Sequence, residues 1–174
     1  MRIISGTHKG IKLKFPKSLP VRPTTDRAKE ALFNILKNRY YFDDKNILDL
    51  FSGTGNISYE FASRGCNHIT AIDNNKNCIN YINSKIKEFD FKITTLKYDC
   101  YKYVRNCNQR FNIIFIDPPY NYNQYEEIKS LIIEKNLVLK QGCLIIEHDR
   151  NISFTEKNVE IRKYGTVHFS IFSF

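Results

Sequence analysis

Asn46-Ile47-Leu48-Asp49-Leu50-Phe51, followed by Ser52-Gly53-Thr54-Gly55, decides the fold. The first six residues form a short, mostly apolar run of strand length, suited to burial on both faces. The glycines end it, because glycine lets the backbone turn sharply and lets a ligand approach closely. A helix from about Asn56 to Arg64 follows, closed by Gly65.

The same unit repeats downstream. His68 to Ile72 reads as a second strand, ending in Asp73, and Ile79, Ile82, Ile86 and Phe89 mark one face of a helix. Lys92 to Lys97 reads as a third strand, followed by Asp99 and a short helix, and Phe111 to Ile116 as a fourth, ending at Asp117. Tyr125 to Lys135 is helical, Cys143 to Glu147 a fifth strand, and Val159 to Phe174 two strands broken at Tyr164-Gly165. Strands alternating with helices predict an α/β fold with a mainly parallel sheet and right-handed crossovers. Ligands bind such sheets beyond the carboxyl ends of the strands. The residues to weigh are therefore Ser52 to Gly55, Asp73, Asp99 and Asp117 to Tyr120.

Upstream, apolar Ile11, Leu13 and Phe15 alternate with Lys12 and Lys14, the period of a strand with one buried and one cationic face. Arg2-Ile3-Ile4, before Gly6 and Gly10, fits its hairpin partner. Pro16, Pro20 and Pro23 punctuate a connector. Thr24-Thr25-Asp26 then offers N-cap residues for a helix to about Arg39, with Ala28, Leu32, Ile35 and Leu36 on one face. The 174 residues suit one domain: an N-terminal basic β-hairpin over residues 1–23 and a body over residues 24–174.

The net charge is +9, and residues 1–39 carry ten Lys/Arg against two acids. A basic end beside a neutral body suits nucleic acid, an anionic membrane surface, or a merely solubilising face. The five cysteines are odd in number, and none has Cys-x-x-Cys spacing, which disfavours a zinc site or disulfide framework. They read as small buried residues in a reducing compartment. No N-terminal apolar stretch and no run of about 18 apolar residues occurs, so a cytoplasmic protein with no membrane partner is expected.

Asp73 lies 18 residues past Gly55, close to the offset at which an acid binds a ribose diol. The loop lacks the third glycine of a dinucleotide fingerprint and the Lys-Ser/Thr pair of a P-loop. It therefore suits a nucleoside without phosphates, of which S-adenosylmethionine is one.

Asp117-Pro118-Pro119-Tyr120 carries the second chemistry. The exocyclic amine of guanine or adenine is a poor nucleophile, because its lone pair is delocalised into the ring. Attack on a sulfonium methyl requires that nitrogen to rehybridise and become positive. Two acceptors aimed at its N–H groups favour that charge. The Asp117 carboxylate is one and the Pro118 carbonyl the other, while Pro119 stiffens the turn and Tyr120 offers a face for stacking. The alternative is a rigid β-turn with a buried tyrosine.

Leu48 to Gly55 resembles motif I of Rossmann-like, S-adenosylmethionine-dependent methyltransferases. Asp117 to Tyr120 resembles the Asp/Asn-Pro-Pro-Tyr/Phe motif of amino-methyltransferases acting on nucleobases. Arg22-Pro23-Thr24-Thr25-Asp26-Arg27-Ala28-Lys29-Glu30-Ala31-Leu32-Phe33-Asn34-Ile35-Leu36, with Arg2-Ile3-Ile4-Ser5-Gly6 and Lys9-Gly10, resembles the RsmD family, which methylates guanine N2 in bacterial small-subunit (16S) ribosomal RNA. The resemblance covers nearly the whole chain, and the N-terminal block is its specific part.

The resemblance implies a seven-stranded sheet ending in an antiparallel hairpin. It implies S-adenosylmethionine held by Asp49, Phe51, Ser52, Gly53, Thr54, Gly55, Asp73, Asn74 and Asp99, with S-adenosylhomocysteine as product and no metal. It implies a target base at Asp117, Pro118, Pro119 and Tyr120. It implies ribosomal RNA as partner, free or in an assembling small subunit, met by Arg2, Lys9, Lys12, Lys14, Arg22 and Arg27, with the protein a monomer. Some residues have plain readings too: Asp99 as a helix N-cap, His68, His148 and His168 as surface or satisfied histidines, and Glu147 and Asp149 as a solvated loop. An adenine-N6 methyltransferase of DNA or RNA, or a non-catalytic RNA-binding assembly factor, are the alternatives.

Overall fold

The computed structural model describes residues 1–16, 19, 23–119 and 121–174. Arg22 and Tyr120 lie outside the described residues, as do Lys17 and Pro20 of the connector.

Among the described residues one sheet has seven strands: β1 (Asn46–Leu50), β2 (His68–Asp73), β3 (Ile93–Lys97), β4 (Phe111–Ile116), β5 (Val138–His148), β6 (Val159–Tyr164) and β7 (Val167–Ser173). Their order is β3-β2-β1-β4-β5-β7-β6. The first five are parallel, and β7 runs antiparallel to both β5 and β6. The architecture is a Rossmann-like α/β fold with the expected antiparallel hairpin at its end.

The helices are α1 (Asp26–Lys37), α2 (Asn56–Ser63), α3 (Lys76–Phe89), α4 (Cys100–Asn106) and α5 (Tyr125–Glu134). Alternation along each strand divides the core in two. Ile47, Ile113, Phe115, Cys143 and Ile145 face α1, α2 and α3, while Leu48, Leu50, Ile114, Ile116 and Ile146 face α4 and α5. Each fully buried aliphatic or aromatic side chain of these layers stabilises the fold by about 1.5–3 kcal/mol. All five cysteines are buried and free.

α1 starts one residue later than the first possible cap and ends at Lys37. Thr25 is its N-cap, with its side chain accepting from the Ala28 N–H at 3.2 Å. That leaves Thr24 for other work.

The N-terminal segment folds back as a short antiparallel pair, with Ile3 N–H donating to Ile11 O and Leu13 N–H to Met1 O, both at 3.0 Å. A single antiparallel bridge joins Arg2 and Lys12, with Gly10 N–H donating to Ile3 O at 2.8 Å. Ile4 and Ser5 give their N–H groups to the Glu60 carboxylate instead, at 2.8 and 3.1 Å, which diverts the segment onto α2. Ile3 and Leu13 are buried with α1 in the core.

β5 also differs from the sequence reading. It begins at Val138, with a register shift opposite Phe111–Ile113, and it runs on through His148. Polar Lys140-Gln141-Gly142 interrupts the apolar pattern there. Gly142 is required, since a Cβ would come within 2.5 Å of the Asn112 carbonyl oxygen. The extension adds His148 to the strand that already held Glu147.

Candidate active site

A cleft of about 830 Å³ opens beyond the carboxyl ends of β1, β2, β4 and β5. It sits where the sheet order reverses: β1 lies between β2 and β4, so chain connections leave it in opposite directions. That switch point is where open α/β sheets bind ligands.

The glycine loop forms one wall. Phe51, Ser52, Gly53 and Thr54 line the cleft, while Gly55 turns the chain into α2 just behind them. Gly53 and Gly55 have φ of 53° and 78°, and a Cβ on Gly55 would meet the Tyr59 ring at 2.8 Å. Phe51 also has positive φ, 59°. Such a conformation costs a bulky residue on the order of 1–3 kcal/mol and is found preferentially at ligand sites. The Ser52 hydroxyl is buried without a hydrogen-bond partner among the described residues.

Asp73 joins this loop to the next strand. Its Oδ2 accepts from the Gly53 N–H and its Oδ1 from the Asn75 N–H, both at 2.8 Å. Burial still pushes its carboxyl above the usual carboxylate range. Asn74 lines the cleft beside it. Asp49, on β1, accepts from the Ser58 hydroxyl at 2.5 Å, and burial raises its pKa to about 7. Asp99 caps α4 through the Lys102 N–H at 2.8 Å, and it also lines the cleft.

Asp117, Pro118 and Pro119 line the opposite wall. Burial holds the Asp117 carboxyl well above its usual range, with further push from Glu147 and Asp49. The turn continues with Tyr122 N–H donating to Pro119 O at 2.8 Å. Tyr122, which sequence reasoning missed, lines the cleft against Phe51 at 5.1 Å between ring centroids. Its buried hydroxyl has no hydrogen-bond partner among the described residues.

Glu147 corrects the solvated-loop reading. It lies in β5, is 8 % exposed, and accepts the Thr24 hydroxyl at 2.7 Å. Its pKa is raised to about 7 by burial, which the Thr24 bond only partly offsets. His148 is a satisfied histidine: Nδ1 meets Asp149 O at 2.7 Å and Nε2 meets Ser170 Oγ at 2.8 Å. His68 is exposed.

The cleft therefore gathers four carboxyl groups whose ionisation burial disfavours. A cationic ligand relieves that cost, and the unpartnered Ser52 hydroxyl offers it a hydrogen bond. These features fit a sulfonium nucleoside on the Asp49, Asp73 and Ser52–Thr54 side. Among the described residues no His/Cys/Asp/Glu group of metal-ligating geometry occurs.

The expected RNA-binding residues that are described fall on the surface, and one residue of the basic end departs from the charge count. Arg2, Lys9, Lys12, Lys14 and Arg27 are exposed. Arg2 lies 3.7 Å from the Asp26 carboxylate. Lys29, counted in the basic end, is 1 % exposed and donates to Arg2 O and Asn56 Oδ1, both at 2.7 Å. It contributes nothing to a cationic face.

Comparison with known proteins agrees with this geometry. The model of a family described as conserved hypothetical protein 95 matches residues 1–173. YlbH of Bacillus subtilis is 34% identical over 161 residues, covering 90% of this chain and 86% of that protein. The ribosomal RNA small subunit methyltransferase D of Haemophilus influenzae is 30% identical over 157 residues, covering 87% and 80%. Among solved structures, yhhF from Escherichia coli superposes with a TM-score of 0.84 at 25% identity, covering 99% of this chain and 97% of that one. A hypothetical protein of Thermus thermophilus, 22% identical, shares the fold with a TM-score of 0.88 over 100% and 99% of the two chains.

Proposed function

The chain belongs to the RsmD family of methyltransferases, and from that premise we propose that it methylates the exocyclic N2 amine of a guanine in small-subunit ribosomal RNA, in the cytoplasm, using S-adenosylmethionine. The observation that carries the reading is the pairing, across one cleft, of the glycine loop and Asp73 with the Asp117-Pro118-Pro119 turn.

S-adenosylmethionine supplies a methyl group activated on a sulfonium. Asp73 and the Ser52–Thr54 loop bind its nucleoside, and Asp49 stands behind the loop as a further acceptor. Asp117 accepts one N–H of the target amine and the Pro118 carbonyl accepts the other. Both acceptors are fixed before the base arrives, so they need little reorganisation as the nitrogen becomes positive. Once alkylated, the nitrogen sheds a proton, and the Asp117 carboxylate beside it takes it up. The base must leave its stack to reach the cleft. Tyr122 and Phe51 give that cleft aromatic walls, and the exposed Lys9, Lys12 and Lys14 supply phosphate contacts that position the RNA.

Transfer of labelled methyl by Asp117→Ala tests the reading. Turnover falls by about 10²–10³-fold or more, while calorimetric binding of S-adenosylmethionine stays near wild type. Near-normal turnover in that variant would contradict it.

A further inference from the structure

Asp117 and Glu147 stand at the ends of adjacent parallel strands. Ile116 of β4 pairs with Ile146 of β5, so the residues one step on lie side by side. Strand alternation puts both on the sheet face to which Phe115 and Ile145 belong, the face covered by α1. Both line the cleft.

Glu147 is pinned there. Thr24 donates its hydroxyl to Oε2, and the Thr24 carbonyl accepts from Asn56 Nδ2 at 2.9 Å. Asn56 Oδ1 in turn accepts from the buried Lys29 ammonium. A carboxylate has about four lone-pair sites, and Thr24 uses one. Among the described residues no Lys or Arg forms an ion pair with Glu147, and its ionisation is opposed chiefly by burial. A side chain serving only to pack would be cheaper there as an apolar residue. An acid kept at that cost, facing a cleft, is set to meet a donor.

The base edges supply the rest. Beside its exocyclic amine, guanine carries N1–H, so the N1–N2 part of its Watson–Crick edge offers donors only, with the O6 acceptor beyond it. Adenine carries an unprotonated N1, an acceptor, beside its amine. Two carboxylates side by side match the first edge and repel the second.

Resting on the reading that the target is the N2 amine of a guanine, we propose that Glu147 enforces that choice: its carboxylate accepts the N1–H of the guanine whose N2 amine Asp117 holds, and it rejects a purine with a bare N1. Thr24 is then a positioning residue for Glu147. The arrangement assigns the choice of guanine to the protein's own side chains, independently of the RNA fold.

The test uses small-subunit ribosomal RNA joined from fragments, with either guanosine or 2-aminopurine at the methylated position. 2-Aminopurine keeps the 2-amine but has an unprotonated N1. The wild-type protein prefers guanosine by about 10²-fold or more in kcat/KM. Glu147→Gln keeps the volume and an acceptor for Thr24, and its amide donates to a bare N1, so the preference narrows at least about tenfold. An unchanged ratio in that variant, whatever its absolute rate, overturns the proposal. Equal wild-type rates on the two RNAs overturn it without any variant. Label on an adenine amine overturns the underlying reading of the site as well, an outcome distinguished by the identity of the labelled nucleoside.

Discussion

The Lys29 ammonium lies 3.5 Å from the Glu60 carboxylate, with the two side chains 1% and 0% exposed. This buried pair ties three elements together. Glu60 also receives the Ile4 and Ser5 N–H groups and the Arg64 guanidinium, while Lys29 reaches Arg2 O and Asn56. Removing one member of such a pair leaves the rest desolvated and unmatched. Lys29→Met costs about 3–5 kcal/mol of stability, measured by urea unfolding. A loss below about 1 kcal/mol would be the value of a surface pair and would contradict this account.

Gly6 fixes the N-terminal segment on α2. Its φ is +87°, and a Cβ there would lie 1.7 Å from the Ser63 carbonyl oxygen. That oxygen already accepts from the Thr7 N–H at 2.7 Å. Gly6→Ala therefore pushes residues 1–16 off the body, beyond the roughly 1–3 kcal/mol of backbone strain alone. Limited proteolysis should cut the variant early in this segment while the body stays folded. Unaltered resistance there would show that the close approach is not needed.

Stability and turnover should respond oppositely to pH. Asp49 and Glu147 titrate at about 7 in the fold, against about 3.9 and 4.3 in the unfolded chain. Their folded pKa values are raised, so the stability they confer is full below the unfolded values. It is lost as the pH rises through about 7, at about 1.4 kcal/mol per pH unit for each carboxyl. Urea midpoints should be higher at about pH 5.5 than at about pH 7.5. Turnover runs the other way, because Asp117, also raised, serves best as an ionised acceptor. Midpoints that rise with pH across this range would contradict the burial of these acids.

Lys9, Lys12 and Lys14 are exposed on one segment. Reversing their charge should weaken RNA binding and flatten its salt dependence, by about 0.7–0.9 in log–log slope for each phosphate no longer neutralised. A slope equal to wild type would mean that these residues do not touch the RNA backbone.

The parallel sheet was legible because buried strands read as apolar runs. Phe111 to Ile116 and His68 to Asp73 begin and end where the pattern says. The glycine loop, Asp73 and Asp117 were legible because strand ends in such a sheet converge on one cleft. Four features were not. Lys29 looks like one more surface cation, and only the Glu60 carboxylate two elements away makes its burial tolerable. Thr24 and Thr25 are indistinguishable as caps until the helix chooses one. Glu147 follows an apolar run and precedes polar residues, so its strand appears finished when β5 has one more residue to go. Tyr122 offered no motif, and its place in the cleft depends on a turn whose path is set by Pro119. In each case the deciding partner lies outside the local pattern.

The most direct test of the central claim is the identity of the methylated nucleoside. Small-subunit ribosomal RNA and subunits from a strain lacking this protein are incubated with it and labelled S-adenosylmethionine, then digested for mass spectrometry. The account predicts one new N2-methylguanosine. Label in N6-methyladenosine, or no transfer to this RNA, would contradict it.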